Sequence, residues 1–211
     1  ALAIFWIVIT WIDSDMYLSK DDKDRVVSDF YNDTYLSDQN ACTSPRLIVW
    51  MGKEIQEAKK DFWTRLHEYT DKKYQFQTIQ GVDKLVQFYL GAANYQSGDG
   101  KAENIHIVDE KDNLLVRVAV DEVNSSLMDY RGNSGYFFEY DCNNIIDIRE
   151  FCNNTHCQTI GLLGDEALIK PLLDTGIKGV DRIVPIGHTM DFDLVWDGYN
   201  LISCMTRQLN V

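Results

Sequence analysis

The residue in this chain that most clearly combines reactive chemistry with a setting able to use it is Cys42. It stands in the polar stretch Ser37-Asp38-Gln39-Asn40-Ala41-Cys42-Thr43-Ser44-Pro45-Arg46, between a segment of helical spacing and Leu47-Ile48-Val49-Trp50, which reads as a buried strand. A thiol at a loop-to-strand join is reachable by a substrate and still rigidly held. Its thiolate is the strongest common side-chain nucleophile near neutral pH. The competing reading is a small packing residue, the usual fate of a lone cysteine. If Cys42 attacks a carbonyl, donors must face the oxygen as it gains charge. The Cys42 N–H is one natural donor, and Asn40 or Gln39 would orient the loop or add another, against a plain turn-forming role for both.

Other constellations carry less. Cys152-x4-Cys157 beside His156 invites a zinc reading, but no second ligand pair is evident. Asp191, Asp193 and Asp197 lack the glycine and closing glutamate of an EF-hand loop and read as a solvated acidic segment. No Gly-x-Gly-x-x-Gly or Walker-type loop appears.

Positioning Cys42 falls to alternating strands and helices. Residues 1–12 read as a buried strand, being almost wholly apolar but too short for a membrane helix and lacking the marks of a signal peptide. Residues 21–35 read as a helix, 46–51 as a strand, 54–70 as the clearest amphipathic helix and 82–90 as another, with Val82, Leu85, Val86 and Tyr89 inward. Residues 104–109 and 114–120 read as a hairpin inserted into the α/β rhythm, turning at 110–113. Strands at 136–140, 159–163 and 182–185 alternate with helices at 144–151 and 165–174, where Pro171 should kink the chain. A last helix at 198–209 should turn Leu201, Ile202, Met205 and Leu209 inward. The rhythm predicts an α/β fold: three layers, with helices on both faces of a mostly parallel sheet.

With 211 residues and 45% hydrophobic content the chain suffices for a packed core. A net charge of −13 disfavours nucleic acid and anionic membranes as partners. Five cysteines are odd in number and too sparse for a disulfide scaffold, which points to a reduced, cytoplasmic setting.

The segment Asp38-Gln39-Asn40-Ala41-Cys42, followed by Ser44, resembles the nucleophile segment of the LuxC-type long-chain acyl-CoA reductases, a divergent branch of the aldehyde dehydrogenase superfamily. Gln158-Thr159-Ile160, the run Gly179-Val180-Asp181-Arg182-Ile183-Val184, and Asp197-Gly198 ahead of Arg207 agree in order and spacing. The resemblance implies the superfamily's catalytic domain, with the 104–120 hairpin as an oligomerisation arm, and a chain that is part of a longer protein carrying a Rossmann-like domain. It implies NADPH-dependent reduction of a fatty acyl thioester to the aldehyde through an acyl-Cys42 intermediate. A fatty acyl-CoA or a partner acyl-protein synthetase would donate the acyl group, and the protein would be a homo-oligomer. The resemblance also makes His188, in a late loop, the histidine to test for acid–base work. The superfamily's Glu-Leu-Gly-Gly and Glu-x-Phe-Gly-Pro motifs are not legible; Asn133-Ser134-Gly135-Tyr136 stands near the place of the second. A short-chain CoA-acylating dehydrogenase and a non-catalytic subunit of the same fold are the alternatives.

Overall fold

The computed structural model describes residues 7–95, 105–108 and 112–207. Strand β1 (Ile7–Asp13) is buried along all but its last residue, as a central strand covered on both faces must be. Asp13 then caps helix α1 (Ser14–Ser19), accepting the Met16 N–H at 2.8 Å. The sequence reading assigned no helix there, although Asp13-Ser14-Asp15 is a cap followed by an acidic first turn. Helix α2 (Lys23–Thr34) starts on a second aspartate cap, Asp22. Strand β2 (Pro45–Met51) follows the cysteine loop. Helices α3 (Ile55–Lys73) and α4 (Thr78–Asn94), strands β3 (Ile105–Ile107), β4 (Val116–Val120) and β5 (Tyr136–Asp141), helix α5 (Arg149–Thr155), strand β6 (Cys157–Leu163), helix α6 (Glu166–Asp174) and strand β7 (Arg182–Pro185) complete the main body. Pro171 lies within α6 without dividing it.

The seven strands form one sheet in the order β3-β4-β5-β2-β1-β6-β7. Every neighbouring pair is parallel except β3–β4. Strand alternation divides the core in two. Ile9, Trp11, Leu47, Val49, Val118 and Phe138 pack with α5 and α6 residues such as Phe151 and Leu172. Ile12, Ile48, Trp50 and Phe137 pack with α2 and α3 through Phe30, Phe62, Trp63 and Leu66. The three-layer α/β architecture is the one expected. Among the described residues no helix is long and apolar enough to cross a membrane.

The expected hairpin is present and two other local expectations change. In the hairpin β3 and β4 pair antiparallel, and β4 also runs parallel to β5 with Val116 opposite Tyr136. The hairpin therefore forms the outer edge of the main sheet; residues 109–111 of its expected turn lie outside the described residues. Helix α4 is longer than expected and rotated. Gly81, Lys84 and Gly91 face inward, while Val82 (50% exposed), Val86 and Tyr89 (67%) face out. Close approach decides this, because a Cβ at Gly91 would meet the Tyr130 Cβ at 3.2 Å, and because the Lys84 amine finds the Asn113 and Leu114 carbonyls inside. Finally, Asp197-Gly198 opens no helix. Both residues have positive φ, the signature of a tight hairpin turn, and they join the short strands β8 (Val195–Trp196) and β9 (Tyr199–Asn200). The last helix, α7 (Leu201–Met205), buries none of its residues; Leu209 lies outside the described ones.

Candidate active site at the cysteine loop

The loop that carries Cys42 hangs between the end of α2 and the start of β2. Tyr35–Ser37 add a 3-10 turn, after which Asp38 and Gln39 both take left-handed backbone conformations, with φ of 52° and 58°. Such residues cost of order 1–3 kcal/mol each and persist only where their surroundings over-determine them. Here the Gln39 N–H donates to Thr34 O at 2.8 Å, the Ser134 N–H donates to Asp38 O at 3.0 Å, and the Tyr74 hydroxyl donates to Asp38 Oδ1 at 2.6 Å.

The Gln39 side chain is fully buried and its amide is fully used. Nε2 donates to Pro45 O at 2.8 Å and to Tyr136 O at 3.0 Å. Oε1 accepts from Gly135 N at 3.0 Å and Tyr136 N at 3.1 Å. Two donors and two lone pairs exhaust the group. Gln39 thus stitches both ends of the cysteine loop to the start of β5, and no N–H remains for a substrate oxygen. Asn40 differs. It is exposed, and its Oδ1 accepts from Asn133 Nδ2 at 2.7 Å, which leaves the Asn40 NH2 group free among the described residues.

Arg46, the last residue of the cysteine stretch, has a structural role. Its Nη2 donates to Gln39 O at 2.7 Å, and its Nη1 donates to Gly132 O and to Asn133 Oδ1, each at 2.5 Å. Burial, with Arg131 nearby, lowers its pKa to about 10, so it stays a cation at neutral pH. The legible signal was a charged residue at the mouth of an otherwise apolar strand. Arg46 and Gln39 together lock segment 132–136 against the loop.

Cys42 sits at the apex of this frame. Its thiol is free and exposed. The Ser44 N–H donates to Ala41 O at 3.1 Å, closing a tight turn with Cys42 and Thr43 at its centre. Among the described residues neither central N–H has a hydrogen-bond partner. The turn therefore sets a nucleophile beside backbone N–H groups that have no partner among the described residues. A cavity of about 350 Å³ opens beside the loop, lined by Asp38, Asn40, Gln80, Arg131, Asn133 and Ser134 among others.

The structure unites Gln39, Asn40 and Cys42 and places His188 on a separate loop. Its exposed Nδ1 lies 2.7 Å from Asp191 Oδ2, and that carboxylate raises the imidazole pKa above its ordinary value. Asp33 of α2 fastens this loop, accepting the Gly187 N–H at 2.6 Å and the Thr189 N–H at 3.1 Å. Burial lifts the Asp33 pKa to about 6 against those bonds. Thr34, the next residue, receives the Gln39 N–H. The last turn of α2 thus anchors both loops, a link that no sequence signal announced.

The fold resembles solved aldehyde dehydrogenase structures. Aldehyde dehydrogenase 21 from Physcomitrella patens, in complex with the reaction product succinate, aligns with a TM-score of 0.56 at 8% identity, over 92% of this chain and 42% of its own. The Δ-pyrroline-5-carboxylate dehydrogenase of Mycobacterium tuberculosis gives 0.55 at 7%, over 85% and 35%. Succinic semialdehyde dehydrogenase from Streptococcus pyogenes, in complex with NADP⁺, gives 0.54 at 11%, over 85% and 40%. This chain therefore spans well under half the length of these structures. No curated protein sequence matches it. The family model for acyl-CoA reductase (LuxC) matches residues 7–208, so nearly the whole chain is accounted for: it belongs to the LuxC acyl-CoA reductase family, on the aldehyde dehydrogenase fold.

Proposed function

We propose that the chain is the cysteine-bearing part of an enzyme that reduces a fatty acyl thioester to its aldehyde through an acyl-Cys42 intermediate. The observation that carries this reading is the turn 41–44: an exposed thiol flanked by unpartnered N–H groups, on a loop fixed by Gln39 and Arg46. The Cys42 thiolate attacks the thioester carbonyl. The tetrahedral oxyanion takes hydrogen bonds from the Cys42 N–H and, by assignment, the Asn40 amide; the donor's thiolate leaves, and the thioester bond is conserved on Cys42. NADPH, when bound, supplies the hydride. Collapse of the reduced adduct then returns the Cys42 thiolate and frees the aldehyde.

This reading assigns a cofactor ribose to the cavity beside Asn40, where the Asp38 carboxylate offers an acceptor for a sugar hydroxyl. The chain contains no Gly-rich phosphate cradle, so this reading assigns the cofactor's phosphates to other parts of the polypeptide. The donor is a fatty acyl-CoA or an acyl-protein synthetase, and β3, the outermost strand among the described residues, serves homo-oligomerisation by strand addition in a cytoplasmic protein. His188 is the histidine assigned to protonate the leaving thiolate. In that role His188→Gln lowers aldehyde formation and shifts its acid limb; an unchanged pH profile removes the assignment.

The test is to incubate the complete protein with a long-chain acyl-CoA, first without NADPH, and to map the adduct by intact mass and peptide sequencing. An acyl group on Cys42, released as aldehyde on adding NADPH, is expected; Cys42→Ala should form none while keeping its circular dichroism spectrum. An adduct that NADPH cannot discharge would indicate acyl transfer without reduction. Absence of any adduct on a free, folded Cys42, from acyl-CoA and from an acyl-protein synthetase alike, would overturn the reading.

A further inference from the structure

Away from the cysteine loop, a second cavity of about 200 Å³ lies on the α3 face of the sheet, between α3 and the β4 edge. Its polar lining is rich in groups that donate, together with the Thr64 hydroxyl, which gives its proton to Lys60 O at 2.7 Å. Gln56, Lys59, Lys60 and His67 come from one side of α3, and Arg117 reaches across from β4. Trp63 forms part of the wall, and Arg117 lies over its ring at 5.1 Å. Among the described residues no carboxylate lines this cavity, in a chain whose net charge is −13.

The charges around it are graded. Arg117 is held by both oxygens of Glu139, which is fully buried below the cavity, and Lys59 bridges Glu139 and Asp141. His67 pairs with Asp112 at 2.7 Å. These contacts, with Gln56 Nε2 donating to Asp141 Oδ2 at 3.2 Å, fix the orientation of two cations, a histidine and an amide, and leave Arg117 Nη1 without a partner among the described residues. Lys60 is exposed and has no carboxylate partner among the described residues. The cavity thus carries one uncompensated charge beside anchored, pre-positioned donors, the arrangement that lowers the ordering cost of binding an anion.

We propose that this cavity binds a phosphate group. The shape of the donor set favours phosphate over carboxylate. Donors face each other from α3 and β4, and a tetrahedral ion accepts from both walls, whereas a planar carboxylate is best met by a fork on one side. None of the cysteine-loop residues lines the cavity, so the proposal stands apart from the reductase reading. The phosphate is either a free ion or the head of a phosphorylated small molecule.

Isothermal titration of the complete protein with inorganic phosphate, ribose 5-phosphate and acetate, at constant ionic strength, tests this. Phosphate should bind, acetate at least tenfold more weakly, and Lys60→Glu should weaken phosphate at least tenfold while Lys60→Arg retains it. Lys60 is exposed, so its replacement leaves the fold intact. Tighter binding of ribose 5-phosphate than of phosphate identifies a phosphorylated molecule; the reverse order identifies the free ion. Equal binding of acetate and phosphate, no binding of either phosphate compound, or undiminished phosphate binding by Lys60→Glu would each overturn the proposal.

Discussion

Gln39 shows how much one side chain can hold. Four hydrogen bonds to four backbone groups join the cysteine loop to β5, all of them buried. Replacing Gln39 by leucine would strand two carbonyls and two N–H groups, each costing about 1–3 kcal/mol when left unpaired. Partial relaxation will recover some of that, so a loss of about 3 kcal/mol or more is expected in the urea midpoint, with slower alkylation or misplacement of Cys42. Gly135 is equally constrained. Its φ is +91°, and a Cβ there would stand 2.3 Å from Tyr35 Oη and 2.4 Å from Leu114 O, one of them backbone. Gly135→Ala should destabilise by several kcal/mol by the same measurement, since neither the dihedral nor the space admits a side chain.

At the scale of elements, Lys84 explains why α4 packs as it does and what that costs. Its amine donates to Asn113 O and Leu114 O, and Tyr35 Oη donates to the same Leu114 O at 3.1 Å. The lysine therefore ties α4 to the chain entering β4, next to Gly135 and the cysteine loop. Burial lowers its pKa from 10.5 to about 7, although Asp112 pulls the other way. The depressed value means that the unfolded chain binds this proton more tightly. The contribution is fully favourable above the unfolded pKa, declines as pH falls through the interval, and is gone below the folded value. Stability should thus rise between about pH 7 and pH 10.5 by a few kcal/mol from this group, and Lys84→Met should flatten that rise in pH-dependent denaturation. Asp33 acts in the opposite sense. Its raised pKa contributes stability at low pH that fades as pH passes about 6, where the buried carboxylate ionises beneath the His188 loop.

On the whole molecule, helices cover both faces of the sheet, and among the described residues exposed apolar side chains concentrate in two stretches. One is the outer stripe of α4, with Ile79, Val82, Val86 and Tyr89; the other is the C-terminal segment, with Phe192, Tyr199, Ile202 and Met205. Contiguous apolar surface of this kind drives association. Val82→Lys with Val86→Lys touches no buried residue, so it should lower dye binding and self-association of the 211-residue chain while shifting its melting temperature by little. A drop of many degrees would show that the stripe is packed in solution.

What the sequence determined alone was the rhythm and the place of the cysteine loop. Strands such as Leu47-Ile48-Val49-Trp50 are apolar on both faces because both faces are covered, and that pattern is local. The cysteine loop was legible through the resemblance of residues 38–44, which pointed to the family that the match over residues 7–208 shows. Only the tertiary structure decided which face of α4 turns inward, because a buried amine with two carbonyl partners and a close glycine contact outweigh a hydrophobic stripe. Only it placed the hairpin within the sheet, since strand neighbours are set by pairing across sequence. It also separated Gln39 from Asn40. Adjacent amides look alike in a sequence; one closes its hydrogen bonds on residues 97 and fewer positions away and the other keeps its NH2 group open, a difference that exists only once β5 lies beside the loop.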